Sequence, residues 1–426
     1  MQEHFSAPAF WSTDMFHTKP LVPFRTTIPE EYNWWLWLKR NPFTKTYSKP
    51  MHDVLDLVKK NNVLDSIVQA KPSLILTIDH DILSFKLLRG LHEAYSSLGL
   101  SRPPHLHWGH YIKNLYPAQL PYLDHVMYTM SIPARNYNHF IYPHTYLGHQ
   151  AFATAYRFLL SRNPHGLSLL SDDSQLVNKD HFYGHIAPFV SAERDRFRGK
   201  FGIADKEVAL LLAPGNKEGE VKWALPKLMA AAAEFQSENR LVSLTVVLPS
   251  TPATLKYLAS EAAKSSPSLR IIVTETCEDK SSALAGCNLA ICYNGEIVTE
   301  CLVNMLPTIV VQNMTKPEFY SMYAWNRFFN EMNIVTDGQQ FPEVLEKQCS
   351  AAKLCSLLTQ FHRSPAHAFW PFEGFEHYLP KILPIKEREM GMGDFNRCYL
   401  PSKLAAQTVW QFAAHSQAVQ GLAKAA

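Results

Sequence analysis

Two short polar turns carry the residues best suited to hold a phosphorylated ligand. The first lies in LLLAPGNKEGEV (Leu210–Val221), where an apolar run gives way to a helical pattern. Gly215 lets backbone approach a phosphate there, and Asn216 and the helix start behind it offer N–H groups and the positive end of a dipole. Lys217 adds a direct charge for a diphosphate. Taken alone, the same turn reads more readily as a surface loop with solvated charges. It is not a Walker loop, because G-x-x-x-x-G-K-[ST] is absent. The second turn lies in AICYNGEIVTECLVNMLPTIVV (Ala290–Val311). Asn294, Gly295 and Glu296 follow a short apolar run, and Glu300 stands one helical turn further in. Carboxylates so placed could accept ribose or sugar hydroxyls. Glu296 would also favour the helix dipole without any ligand, so both readings stay open.

To present these turns together, the chain needs strands that end side by side. The second half has that pattern. Strands are expected at Val208–Leu212, Leu244–Leu248, Leu269–Val273, Asn288–Cys292 and Thr308–Val311. Helices are expected at about 221–237, 251–265, 297–303 and 317–329, with a short helical turn at Ser281–Ala285. Short apolar runs alternating with helical periodicity predict a doubly wound parallel sheet. Upstream, helical spacing from Met51, a buried strand at Leu74–Ile78 and a helix over Phe85–Leu98 predict a second α/β lobe. Residues 101–150, rich in His, Tyr and Pro, yield only one expected strand, Thr145–Leu147. Ser161–Phe189 reads as a polar, turn-rich separator. The domains expected are an irregular aromatic-rich arm at 1–50, lobes at 51–165 and 190–365, and an extension at 366–426 with a helix near Leu404–Ala425.

Composition bounds the partners. The chain has 426 residues, 46% hydrophobic and 19% charged, which is ordinary for a soluble two-domain protein. Its 41 basic and 38 acidic residues are too balanced to imply nucleic-acid binding. Seven cysteines, none before Cys277 and none in a C-x-x-C pair, argue against a disulfide framework or zinc knuckle and for a reducing compartment, cytoplasmic or mitochondrial. No apolar run is long enough to span a membrane. The cluster NWWLWLKRNPF, with Trp34, Trp35 and Trp37 beside Lys39 and Arg40, suits a membrane interface, a protein groove or its own lobe. His105, His107 and His110 have metal-like spacing, but hydrogen-bonded histidines explain them better. No metal and no cofactor is expected.

In order and spacing, the two turns resemble those of the lipid-A-disaccharide synthase family, GT-B-fold glycosyltransferases that join a UDP-linked diacylglucosamine to a lipid acceptor. LLAPGNKEGEV stands where that family has a turn like L-L-P-G-S-R-x-x-E-V. YNGEIVTE matches its S-G-T-x-x-L-E in frame, with Glu300 on the final Glu, and the proline-led LPTIVV follows as it does there. FPEVLEKQCSAAKL (Phe341–Leu354), KPSLILTID and YLGHQ resemble further family segments, so about 300 residues align in order from 51 to 355. The resemblance implies a GT-B-like fold of two Rossmann-type lobes, the first incomplete. It implies a UDP-sugar against Gly215, Asn216 and Lys217 on one side and Asn294, Gly295, Glu296 and Glu300 on the other. Asp79 or Asp81 of the acceptor-side lobe would act as general base.

The departures fall on the chemistry. No segment like the family's opening G-E-x-S-G-D is found in residues 1–50. Lys217 replaces an arginine, which keeps charge but loses the bidentate fork. Asn216 replaces a serine, and IDHDILSF replaces I-D-A-P-D-F, with Asp81 one position out of frame. Two functions are therefore carried forward. One is a divergent glycosyltransferase acting on a UDP-sugar and a lipid acceptor, peripheral to a membrane. The other is a catalytically inactive, transferase-derived scaffold within a larger assembly, with a mitochondrion as one setting.

Overall fold

The computed structural model describes residues 63–78, 81–111, 121–130, 143–171, 174–177, 182–249, 269–314 and 328–364, and from there 366, 368, 372, 375–383, 385–386, 396–399 and 401–425. The arm at 1–50, the tryptophan cluster, Asp79 and the helix expected at 251–265 lie outside these residues, as does nearly all of that expected at 317–329. The described residues form two compact units, one drawn from 63–127, 143–145 and 408–425, the other from 128–130 and 146–407.

The first unit begins with helix α1 (Val63–Ala70), strand β1 (Ile75–Ile78), helix α2 (Asp81–Ser97) and strand β2 (His105–Tyr111). Strands β3 (His125–Met130) and β4 (His144–Tyr146) complete a sheet of order β1-β2-β3-β4, in which β1 and β2 are parallel. Leu88, Leu91 and Tyr95 of α2 pack on Ile75 and Val126, and Leu64, Ile67 and Val68 of α1 close the cluster. Expecting only the Thr145–Leu147 strand within 101–150 missed β2 and β3. Histidine supplies their inward positions: His105 and His107 are buried, with His105 Nδ1 against Tyr122 O at 3.0 Å and His107 Nδ1 against Thr77 Oγ1 at 2.9 Å. Each imidazole found a hydrogen-bond partner, so a polar residue could stand where an apolar one signals a strand.

The second unit continues with α3 (Gln150–Ser161), α4 (Pro164–Leu169), β5 (Leu170–Ser171) and β6 (Ser174–Val177). Helix α5 (Phe182–Phe201) starts inside the stretch expected to be turn-rich, with Pro188 within it. Its buried residues Phe182, Ile186, Phe189, Glu193 and Phe197 keep helical spacing, which Gly184, His185 and Pro188 disguise in the sequence.

The main sheet follows. Strand β7 (Val208–Ala213), helix α6 (Glu218–Glu238), strand β8 (Leu244–Leu248) and strand β9 (Arg270–Val273) build outward in one direction. Helix α7 (Cys277–Gly286) returns the chain to β10 (Leu289–Tyr293). From there α8 (Glu296–Val303), β11 (Thr308–Gln312), α9 (Glu331–Thr336), β12 (Glu343–Leu345) and α10 (Ala351–Arg363) build the other way. The order is β12-β11-β10-β7-β8-β9, all parallel. Every residue of β7, β8 and β10 is buried, as expected of strands covered on both faces. Val221, Leu225, Leu228 and Phe235 of α6 and Leu354 and Leu358 of α10 supply one cover. The winding direction reverses between β7 and β10, the place where parallel sheets of this kind open a crevice beyond the strand ends. Both singled-out turns begin there.

A small antiparallel sheet, β13 (Ile385–Lys386), β14 (Asn396–Tyr399), β6 and β5, was not anticipated. Helix α11 (Pro401–Ala425) ends the chain, and Phe412 places its ring 5.0 Å from that of His125 in the first unit.

Candidate functional site

The two turns meet. Gly215, Asn216 and Glu220 from the end of β7 and the start of α6 line one small cavity with Asn294, Gly295, Glu296 and Glu300 from the end of β10 and the start of α8. Pro249, Lys280 and Tyr293 complete its rim. The cavity holds about 70 Å³, far below the roughly 300–1,000 Å³ that encloses a drug-sized ligand, so these residues form a floor.

The first turn folds around Glu220. Gly215 has φ +113°, and a Cβ built on it would lie 2.6 Å from Glu220 Cβ and 2.7 Å from its Oε2. The glycine is needed at this position for its backbone angle and for this internal contact. The Glu220 carboxylate accepts hydrogen bonds from the N–H groups of Asn216 (3.1 Å) and Lys217 (3.2 Å). An internal carboxylate thus takes two of the donors that the sequence offered to a phosphate. Lys217 Nζ lies 4.0 Å from Glu220 Oε1 with its side chain half exposed. At Gly219 nothing stands within 4 Å of where a Cβ would be, so the first turn of α6 is open above that point.

The second turn divides its residues between inside and outside. Asn294 faces inward. Its Nδ2 donates to Gln312 Oε1 (2.7 Å) and to Phe329 O (3.1 Å), and its Oδ1 accepts from Asn330 Nδ2 (2.9 Å). Behind it the Glu343 carboxylate accepts from the N–H groups of Phe329 and Asn330 and from Asn333 Nδ2. Gly295 is extended and has open space around it, and Glu296 is exposed at the head of α8.

Glu300 lies deeper in the same wall. Burial pushes its carboxyl above the usual carboxylate range, neighbouring Glu296 adds to the rise, and Lys280 and His149 oppose it. Lys280 Nζ, from the first turn of α7, stands 3.8 Å from Glu300 Oε2. His149 precedes α3 and holds Glu331 through Nε2 at 2.9 Å. Sequence reading missed Glu220 and Lys280. The i,i+3 spacing of Lys217 and Glu220 ahead of an apolar run could have flagged a capping carboxylate. Nothing near Lys280 in the chain announces a partner 20 residues away.

Of the two acids assigned to the first lobe, Asp79 lies outside the described residues and Asp81 opens α2. Among the described residues, one group has metal-like proximity, Glu234, Glu238 and Cys355 on α6 and α10. There Cys355 Sγ donates to Glu238 at 3.5 Å, and burial pushes the thiol up to about 11, so the neutral thiol is the resting form.

A parallel sheet with two polar turns at its switch point is of the doubly wound α/β class, whose ligand crevices open at that place. Residues 181–361, most of that unit, match the family described as lipid-A-disaccharide synthetase. Over this stretch the chain is similar, at low identity, to the lipid-A-disaccharide synthases. It is 27% identical to the lipid-A-disaccharide synthase of Rhodospirillum centenum over 235 residues, 54% of either chain. It is 22% identical over 378 residues to the probable mitochondrial lipid-A-disaccharide synthase of Arabidopsis thaliana, covering 84% of this chain and 76% of that one. The chain spans about half the length of the bacterial relatives it matches. Among solved structures, Acinetobacter baumannii MurG is 15% identical with a TM-score of 0.41, covering 75% of each chain.

Proposed function

We propose that the chain binds the nucleotide half of a UDP-sugar across the end of the β7–β10 crevice and acts as a glycosyltransferase of the lipid-A-disaccharide synthase type. The observation that supports this reading most is the convergence of the two turns on one floor, although about 80 residues separate them in the chain. On this reading the diphosphate lies over Gly215, Asn216, Lys217 and the open first turn of α6. Positive helix-end charge and Lys217 stabilise the leaving UDP. Glu296 and Glu300 accept ribose or sugar hydroxyls, Gly295 keeps the approach open, and Asn294 holds the turn in place from behind. Asp79 or Asp81 deprotonates the hydroxyl of a lipid acceptor. Trp34, Trp35 and Trp37 make peripheral membrane contact. Calorimetry with UDP tests the site. Saturable binding that vanishes in Lys217→Ala and Glu300→Ala is expected, and no heat at millimolar UDP would remove the reading.

One observation favours a second reading, an inactive scaffold descended from such a transferase. The Glu220 carboxylate already occupies the N–H groups of Asn216 and Lys217, and Asn294 has no side-chain donor left for a ligand. The name of the Arabidopsis relative supports a mitochondrial setting for such a subunit. Purification of the native protein with stable partners, combined with no UDP binding, is the outcome this reading expects. Among the described residues no helix is long and apolar enough to cross a membrane, which suits a peripheral protein under either reading.

A further inference from the structure

A larger cavity, about 470 Å³, lies at the opposite end of the same sheet, where strands begin and helices finish. Its volume falls inside the range of small-molecule sites. Ala187, Val190, Ser191 and Arg194 of α5 recur at helical spacing along one wall. Val208, Leu289, Pro307 and Phe361 supply apolar surface from three strand starts and the end of α10.

Its polar groups have open valences. Asn304, at the end of α8, is 4% exposed and donates from Nδ2 to Glu300 O at 2.8 Å, but its buried Oδ1 has no partner. That oxygen needs a donor, which an anion does not supply, so an anionic head group would be held elsewhere in the wall. Arg194 forms no hydrogen bond or ion pair with any described residue. Arg198, one turn on, contrasts with it: its guanidinium is committed to Gly286 O, Asn288 Oδ1, Ala204 O and Glu207 O. No Asp or Glu stands among the described lining residues, so the Arg194 charge faces the cavity uncompensated. A planar fork of donors, an apolar wall and no competing acid select a carboxylate on a hydrocarbon body.

We propose that this cavity binds a small amphipathic carboxylate, with its head on Arg194 and its hydrocarbon body against Val190, Leu289 and Phe361. This site is separate from the crevice that carries Glu300 and does not depend on UDP binding. Octanoate is the probe, titrated calorimetrically into the full chain, with octanol as its uncharged counterpart. Saturable octanoate binding is expected, at least about tenfold weaker for octanol, because a charge-assisted hydrogen bond is lost. It should be abolished by Arg194→Met, weakened by Arg194→Lys and retained in Glu300→Gln. Met305 also lines the cavity, so its methyl resonance in methyl-labelled protein should move as octanoate saturates. The proposal is overturned if octanoate does not saturate, if octanol or Arg194→Met binds equally well, or if the Met305 methyl stays still.

Discussion

Replacing Asn294 with alanine tests whether the second turn is built before any ligand arrives. The side chain makes three hydrogen bonds, and their partners differ in what they can recover. Gln312 is half-buried and can turn to water. Phe329 O and Asn330 Nδ2 cannot, since Phe329 is 5% exposed and Asn330 1%. A buried polar group left unpaired costs about 1–3 kcal/mol, so two such groups set the loss at about 2–6 kcal/mol. Asn294→Asp should cost at least as much, because it turns a donor into an acceptor facing Gln312 Oε1 and Phe329 O. Urea unfolding followed by tryptophan fluorescence, with wild type and both variants compared at neutral pH, gives the difference directly. A loss below about 0.5 kcal/mol, the scale of an ordinary surface change, would refute the claim that Asn294 is the internal strut of this turn.

Three further outcomes are expected. Glu300 has its carboxyl raised by burial, so the folded state holds that proton to higher pH than the unfolded chain, and stability falls as pH rises above the usual carboxylate range. Glu300→Gln should therefore match or exceed wild type in urea at pH 8 and lose its advantage at pH 5; the reverse order would contradict the burial argument. His105 is held down to about 4, first by burial and then by nearby Arg102, so the unfolded state takes up a proton that the folded state refuses. Stability on the order of 3 kcal/mol should disappear as pH falls from 6.5 towards 4, and His105→Gln should flatten that slope in pH-dependent unfolding. A Cβ at Gly286 would sit 2.2 Å from Phe197 Cδ1, so Gly286→Ala should cost about 1–3 kcal/mol in thermal or urea unfolding. Pairing it with Phe197→Leu should recover part of the loss, and additive losses would show that the crowding is elsewhere.

Local chemistry made the parallel sheet legible. Val208–Ala213, Leu244–Leu248 and Leu289–Tyr293 are almost wholly apolar runs, broken only by Thr245, because both faces of each strand are covered, and such runs need no knowledge of neighbours to be read. The turns at Gly215 and Gly295 announced themselves by glycine and polar residues after a buried strand. By contrast, β2 and β3 were hidden because His105, His107 and His125 replace the expected apolar residues, and each has one ring nitrogen hydrogen-bonded to a partner 17 to 30 residues away.

By itself, the sequence determined most of the buried strands of the main sheet, where their connecting turns would fall and which residue types those turns would offer. Only the tertiary structure decided how those offers are used. Hydrogen bonds and ion pairs act over about 3–4 Å in space and take no account of separation along the chain. Glu220 therefore caps the turn that seemed free for phosphate, Asn294 turns inward to Asn330, Lys280 reaches Glu300, and Arg194 is left facing a cavity without a counterion.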